Sequence, residues 1–358
     1  MAERLTQHRL PRGRGATGNP DHRFEHCSRG QVDDGWGSLD EPPPPLRTTL
    51  TVDRSRSIIN YNDSPDVGFD RSINPYRGCE HGCVYCFARP THAYLGLSPG
   101  LDFESRLFYK PDAPALLCQE LSKRAYRARP VALGINTDAY QPVEDRLRLT
   151  RRILEVLAHC RHPVTIVTKS WRIERDLDLL QELARNRLIA VMLSLTTLDH
   201  GLARKLEPRA AAPARRLKTV RRLHAAGVPV GVLVAPVIPM LTDSELERIL
   251  AQAREAGARA AAYVLLRLPH ELKALFRDWL AAHVPTRAER VMHRLQDCRG
   301  GQDYQARFGT RMTGTGEYAG LIAQRFRLAS KRLGFGEMPE LNTAAFRPPG
   351  AESQMALF

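Results

Sequence analysis

Three cysteines fall within eight residues, Cys79, Cys83 and Cys86, at the spacing C-x3-C-x2-C. Gly78 and Gly82 lie in the same run. Residues without a Cβ let a chain curl tightly, so three thiolates can face one inorganic centre. Thiolates select zinc, copper(I) or iron–sulfur clusters. Structural zinc takes four ligands, usually from paired C-x2–4-C units, and no second C-x-x-C pair follows here. Three thiolates on a [4Fe-4S] cluster leave one iron open, the property needed to bind and activate a small molecule. His81 sits between the first two cysteines and is read as a neighbour of the centre rather than a ligand.

Something must hold such a loop in place. From about residue 70 short apolar runs alternate with longer amphipathic stretches. A first strand near Arg71–Tyr76 leads into the cysteines. Runs follow at Val131–Asn136, Val164–Thr168, Leu188–Leu195, Val228–Ala235 and Ala258–Leu266, rich in Val, Ile, Leu and Ala as for strands covered on both faces. Helices are expected near Ala113–Arg127, over Asp145–Cys160, over Pro213–Ala226 with Leu217, Val220 and His224 inward, and over Ser244–Ala256 with Asp243 as N-cap. About six βα units imply an α/β fold with a parallel sheet, open or curled into a partial (βα)6 barrel. Its functional groups gather at the C-terminal ends of the strands. The expected organisation is a disordered or extended arm over 1–68, the barrel over 69–284, a small helical appendage over 285–340 and a flexible tail over 341–358. The appendage is expected to hold helices near Arg287–Cys298 and Gly320–Leu333.

With Tyr85 before the last cysteine, and a position just after the first strand, the triplet resembles the radical S-adenosylmethionine (radical SAM) superfamily. The stretches Asn74–Pro90, Thr137–Glu144, Thr168-Lys169-Ser170, Leu206–Arg209, Ala235–Pro239, Leu266–Pro269 and Arg299–Gly301 extend it toward the spore photoproduct lyase-like group. Closer still is a bacterial set of related proteins whose substrate is not established. The resemblance implies a radical SAM-type barrel, a [4Fe-4S] cluster on Cys79, Cys83 and Cys86, reductive cleavage of S-adenosyl-L-methionine, hydrogen abstraction from a substrate, and a low-potential electron donor. It also implies cofactor contacts. Thr137 and Asp138 are expected at the amino group and Lys169 at the carboxylate or ribose. Ser194 is expected at the ribose, and the backbone from Ala235 at adenine. Tyr85 either caps the cluster, packs on adenine or packs in the core. Glu207 and Arg209 are read as cofactor-side residues or as a mutual pair. Spore photoproduct lyases use a further cysteine as hydrogen donor. Cys118 and Cys160 read as core residues, and Cys298, at a helix end before Arg299-Gly300-Gly301, is the candidate that stands out.

The chain has 358 residues, 53 of them Lys or Arg and 39 Asp or Glu, for a net charge of +14. The first fifty residues balance at seven of each sign. Residues 204–222 hold eight basic residues (Arg204, Lys205, Arg209, Arg215, Arg216, Lys218, Arg221, Arg222) against Glu207 alone. Such a set beside a barrel mouth suits phosphates and suggests a nucleic-acid substrate, such as a DNA lesion in repair. A solvated helix face gives the same pattern. The last residues, with Gln354, Met355, Leu357 and Phe358, resemble the short peptide by which bacterial repair proteins dock on the DNA polymerase sliding clamp. No apolar segment suits a secretory signal or a membrane span, so a cytoplasmic protein with reduced thiols is expected. A protein or small-metabolite substrate stays open, as does a non-enzymatic metal-binding nucleic-acid module with zinc on the cysteines.

Overall fold

The computed structural model describes residues 13–25 and 46–350. Its strands are β1 (Thr49–Val52), β2 (Ile59–Tyr61), β3 (Arg71–Ile73), β4 (Tyr76–Arg77), β5 (Arg106–Tyr109), β6 (Val131–Leu133), β7 (Val164–Thr168), β8 (Ile189–Ser194), β9 (Val230–Val237) and β10 (Ala260–Leu265). β3, β6, β7, β8, β9 and β10 lie side by side in chain order, each pair parallel. Parallel neighbours need crossovers, and helices such as Leu149–His159, Leu177–Arg185, Pro213–Ala225 and Leu246–Glu255 supply them. β2 adds antiparallel to β3, so β2 and β10 are the two edges of an open barrel. The main core joins Ile73, Leu133, Ile166, Val191 and Val232 from the strands to Leu117, Ile153, Leu180, Leu223 and Ile249 from the helices. β10 is only partly covered along its middle. The appendage covers that edge. Gly336 bridges to Ala260, and Arg325, on the helix Gly316–Arg332, bonds Glu247 on the neighbouring helix.

The strands keep the expected order and differ at their ends. β6 stops at Leu133, where Gly134 turns with φ +81°, so Thr137 and Asp138 sit in the following turn rather than on the strand. β9 runs on to Val237, so Ala235 lies inside a strand. The expected helix over Asp145–Cys160 is two pieces, Glu144–Leu147 and Leu149–His159, split at left-handed Arg148. The cause is Glu144, whose buried carboxylate takes the Thr150 amide and the Arg175 guanidinium. Asp243 is not an N-cap. It accepts the Tyr318 hydroxyl, and the helix begins at Leu246. The helix near Ala113 closes at Leu121. On Pro213–Ala225 His224 faces solvent, and Arg216 turns inward with Leu217 and Leu223. The two appendage helices form as Ala288–Asp297 and Gly316–Arg332.

Parts of the expected disordered or extended arm and of the expected flexible tail are tied to the body where they are described. β1 joins β5, and β5 joins β4, in a second, three-stranded sheet. Ile58 is buried, and its amide donates to Glu120. Gly15 and Ala16 give their amides to the buried Glu104 carboxylate at 2.9 and 2.8 Å. These anchors are mostly main-chain groups, which leave no periodic apolar pattern. At the other end Phe346 packs on Tyr126 and His162, and the Arg347 amide donates to the Cys160 carbonyl. Gln354, Met355, Leu357 and Phe358 lie outside the described residues, as does Cys27.

Candidate active site

The cysteine loop leaves β4 and crosses the end of the parallel sheet. Gly78 and Gly82 take φ of +80° and +66°, so the loop needs glycine at both places. Its carbonyls are tied from one side by Arg89, fully buried, which donates to Cys83 O at 2.8 Å and Gly82 O at 3.1 Å. Arg89 is itself paired with Glu104. From the other side Gln141, also fully buried, accepts the Glu80 amide at 2.8 Å and donates to Gly78 O at 3.2 Å. Sequence reasoning did not single out Arg89, Glu104 or Gln141. The first and last lie inside the motif stretches, and nothing in their residue type marks them as loop anchors.

Cys79 and Cys83 are buried and Cys86 partly so, with Cys86 packed against the apolar groups that contain each of the other two. Burial pushes the Cys79 thiol well up, and the nearby Asp138, Cys83 and Cys86 push it further. Burial takes Cys83 up to about 12, against the pull of Lys169. Such thiols stay protonated unless a metal centre takes them as thiolates. Among the described residues no three His, Cys, Asp or Glu side chains are gathered to hold a single ion. An iron–sulfur cluster is wider and asks the thiols to surround a space. His81, 1% exposed, has no hydrogen-bond partner on either ring nitrogen, although Nδ1 lies 3.3 Å from Asp138 Oδ2. Its Nε2, buried and facing no polar partner, suits a group bound alongside. Three thiols in one glycine-turned loop, buried or partly buried, with the His81 imidazole between the first two, fit a [4Fe-4S] cluster held by Cys79, Cys83 and Cys86.

The other expected contacts gather round this loop and are engaged with one another. Asp138 accepts from the Tyr140 and Lys169 amides, both at 2.9 Å, and from the Thr168 hydroxyl at 2.7 Å. Burial alone would raise its carboxyl. The neighbouring His81 and these bonds hold it down at about 2. Thr137 donates to Tyr76 O at 3.0 Å. Ser194 and Thr196 donate to Ala235 O at 3.2 and 2.9 Å, which places Ala235 against β8. The Tyr85 hydroxyl donates to Glu207, and the Lys169 ammonium lies over the Tyr85 ring at 5.2 Å. Lys169 Nζ lies 3.2 Å from that hydroxyl and 3.4 Å from Glu207.

Glu207 is the centre of this group. It receives Tyr85, Thr196 at 2.8 Å, Lys169 and the buried Arg216. Burial would push its carboxyl up, but the charges of Arg216 and Lys169 hold it far below the usual range. Glu207 and Arg209 are not a mutual pair: Arg209 reaches Glu80 at 2.9 Å. Cys298 is fully buried in the main core, and burial takes its thiol up to about 11. That setting suits a packing residue.

The radical SAM superfamily model matches residues 73–253. An uncharacterized protein of Mycobacterium tuberculosis is 41% identical over 219 residues, covering 61% of this chain and 64% of the relative. The match thus spans under two thirds of that relative's length. An uncharacterized protein of Methanocaldococcus jannaschii is 28% identical over 192 residues, covering 54% of this chain and 69% of the relative. Among solved structures, a spore photoproduct lyase variant superposes with a TM-score of 0.56 at 17% identity, over 80% of each chain. Another variant, with bound AdoMet and dinucleoside spore photoproduct, gives 0.56 at 16% over the same shares. These likenesses show the fold.

Proposed function

This chain belongs to the radical SAM superfamily, and from that premise we propose that it is a radical enzyme whose substrate is nucleic acid, in DNA repair. When bound, the cluster and S-adenosyl-L-methionine supply one-electron chemistry for hydrogen abstraction. The chain's own part is to hold and enclose. Cys79, Cys83 and Cys86 bind the cluster, while Arg89 and Gln141 keep the loop curled. Thr137, Asp138, Lys169, Ser194 and Ala235 surround the cofactor side of the mouth, with Tyr85 and Glu207 fixing the Lys169 ammonium.

The observation that carries the substrate is the cationic and aromatic surface of the segments that follow β7 and β8. Of the basic residues over 204–222, Arg209, Arg215, Arg216 and Arg222 are each taken by a carboxylate. Arg204, Lys205, Lys218 and Arg221 are exposed and make no ion pair among the described residues. Trp171, 42% exposed, follows β7 and carries the guanidinium groups of Arg172 and Arg215 at 5.4 and 5.0 Å from its ring. Free cations with a stacking ring are how single strands and splayed bases are held. A protein of the same fold binds a dinucleoside lesion, which supports the reading. Docking of the Gln354–Phe358 peptide on a sliding clamp belongs to the same proposal.

The test is anaerobic reconstitution with about four irons per chain, then 5′-deoxyadenosine release against a panel of damaged and undamaged DNA. Release stimulated by one class of nucleic acid is the expected result. Release that no nucleic acid changes would point to a protein or metabolite substrate.

A further inference from the structure

Two neighbouring guanidinium groups, one at the mouth and one buried behind it, face no carboxylate among the described residues. Arg267 leaves the end of β10, on the side where the parallel strands terminate. Its head lies 5.3 Å from the centre of the Phe87 ring, and Phe87 directly follows the last cluster cysteine. Its polar contacts are weak: Met312 Sδ and the Tyr304 hydroxyl, each at 3.5 Å. Its Nε is buried with no hydrogen-bond partner. Behind it Arg299 is fully buried, donating only to the carbonyls of Leu265, Leu266, Thr310 and Arg311. Its Nε is likewise unpartnered.

The nearest acids in sequence are already used. Asp303 is bonded to Arg277 and Gln296, and Glu271 to Arg23. Neither Arg267 nor Arg299 makes an ion pair among the described residues. Burial first, and then the Arg267 charge, lower the Arg299 guanidinium to about 10. Two neighbouring cations without a counter-ion repel each other in a place with little water, which the fold alone does not reward. An arginine fork beside an aromatic ring, with no carboxylate on it, is suited to a phosphate oxygen pair.

We propose that Arg267, backed by Arg299 and floored by Phe87, is an anion subsite that takes a backbone phosphodiester of the substrate strand and so sets the strand's register over the cluster. This rests on the nucleic-acid reading above. It assigns a role to two sequence stretches, Leu266–Pro269 and Arg299–Gly301, that cluster and cofactor binding leave unused.

The experiment uses the full chain, reconstituted anaerobically with S-adenosyl-L-methionine. Two probes are bound: a fluorescein-labelled single-stranded octathymidylate across a salt series, and inorganic pyrophosphate. Arg267→Met keeps the apolar stem over Phe87 and removes the charge. The variant is expected to bind the oligonucleotide about tenfold or more weakly. Its salt slope should fall by about one. Arg267→Lys, a point charge without the fork, should recover part of the affinity. Iron content should stay the same and thermal stability should not fall, because an unpaired cation has been removed. Oligonucleotide binding by the wild type with an unchanged affinity and slope in Arg267→Met overturns the subsite and leaves the nucleic-acid reading standing. No oligonucleotide binding by the wild type overturns that reading instead. Pyrophosphate then decides the subsite: a rise in melting temperature for the wild type but not Arg267→Met sustains it, and equal behaviour ends it. A marked loss of stability in Arg267→Met would make the residue structural and would also end it.

Discussion

Glu207 receives four donors in a place that water scarcely reaches, and two of them, Lys169 and Arg216, carry charge. Removing one partner of such a buried pair strands the other. Breaking a buried ion pair costs about 3–5 kcal/mol, whereas replacing both partners by apolar groups is far milder. Glu207→Gln should therefore lower the unfolding free energy from urea titration by an amount in that range, and adding Arg216→Met should restore a good part of it. A single variant as stable as the wild type would show that the pair does not hold this mouth. The sequence marked Tyr85, Lys169 and Glu207 separately and did not show which arginine pairs with Glu207. Arg215 and Arg216 are adjacent on one helix, and residue type does not say which turns inward. The structure resolves it by packing: Arg216 falls in line with Leu217, Thr219, Val220 and Leu223, and Arg215 meets Glu174 outside.

Among the elements, the βα rhythm was legible because strands covered on both faces read as unbroken apolar runs. The strand ends and the arm were not, because turns at Gly134 and Arg148 and the anchors of residues 13–25 are made by backbone groups. That arm presses on the cluster loop. A Cβ on Gly15 would stand 1.7 Å from Gly82 O, and the Gly15 and Ala16 amides satisfy the same Glu104 that grips Arg89. The arm thus closes the solvent side of the loop. Removing residues 1–25 leaves Glu104 two donors short and the loop open, so the reconstituted cluster should bleach several-fold faster in air, followed by its visible absorbance. Gly15→Val, which forces the strap away, should move in the same direction with the chain intact. Bleaching at the wild-type rate in both variants would mean that the strap does not shield the loop.

Across the whole molecule the net charge of +14 overstates the free cationic surface near the mouth. Half of the basic residues over 204–222 are spent on Glu80, Glu174 and Glu207, so the patch that faces solvent rests on Arg204, Lys205, Lys218 and Arg221. Four such residues give modest phosphate contact, and a second attachment raises the effective concentration of enzyme on its template without new contacts at the mouth. The C-terminal peptide suits that part. The chain is pinned to the body by Phe346 and by the Arg347 amide, and Gln354, Met355, Leu357 and Phe358 follow after Pro348, Pro349 and Gly350. Two adjacent apolar side chains and one amide are the elements of an anchor that fills a pocket on a partner. Binding of the full chain to the DNA polymerase sliding clamp, measured by surface plasmon resonance, should fall at least about tenfold when Leu357 and Phe358 are deleted, the loss of two buried apolar side chains. The same deletion should leave iron content and melting temperature unchanged, because the anchor at Phe346 is retained. Clamp binding that survives the deletion, or no binding by the full chain, would remove the tail from the proposal and leave attachment to the exposed cations alone.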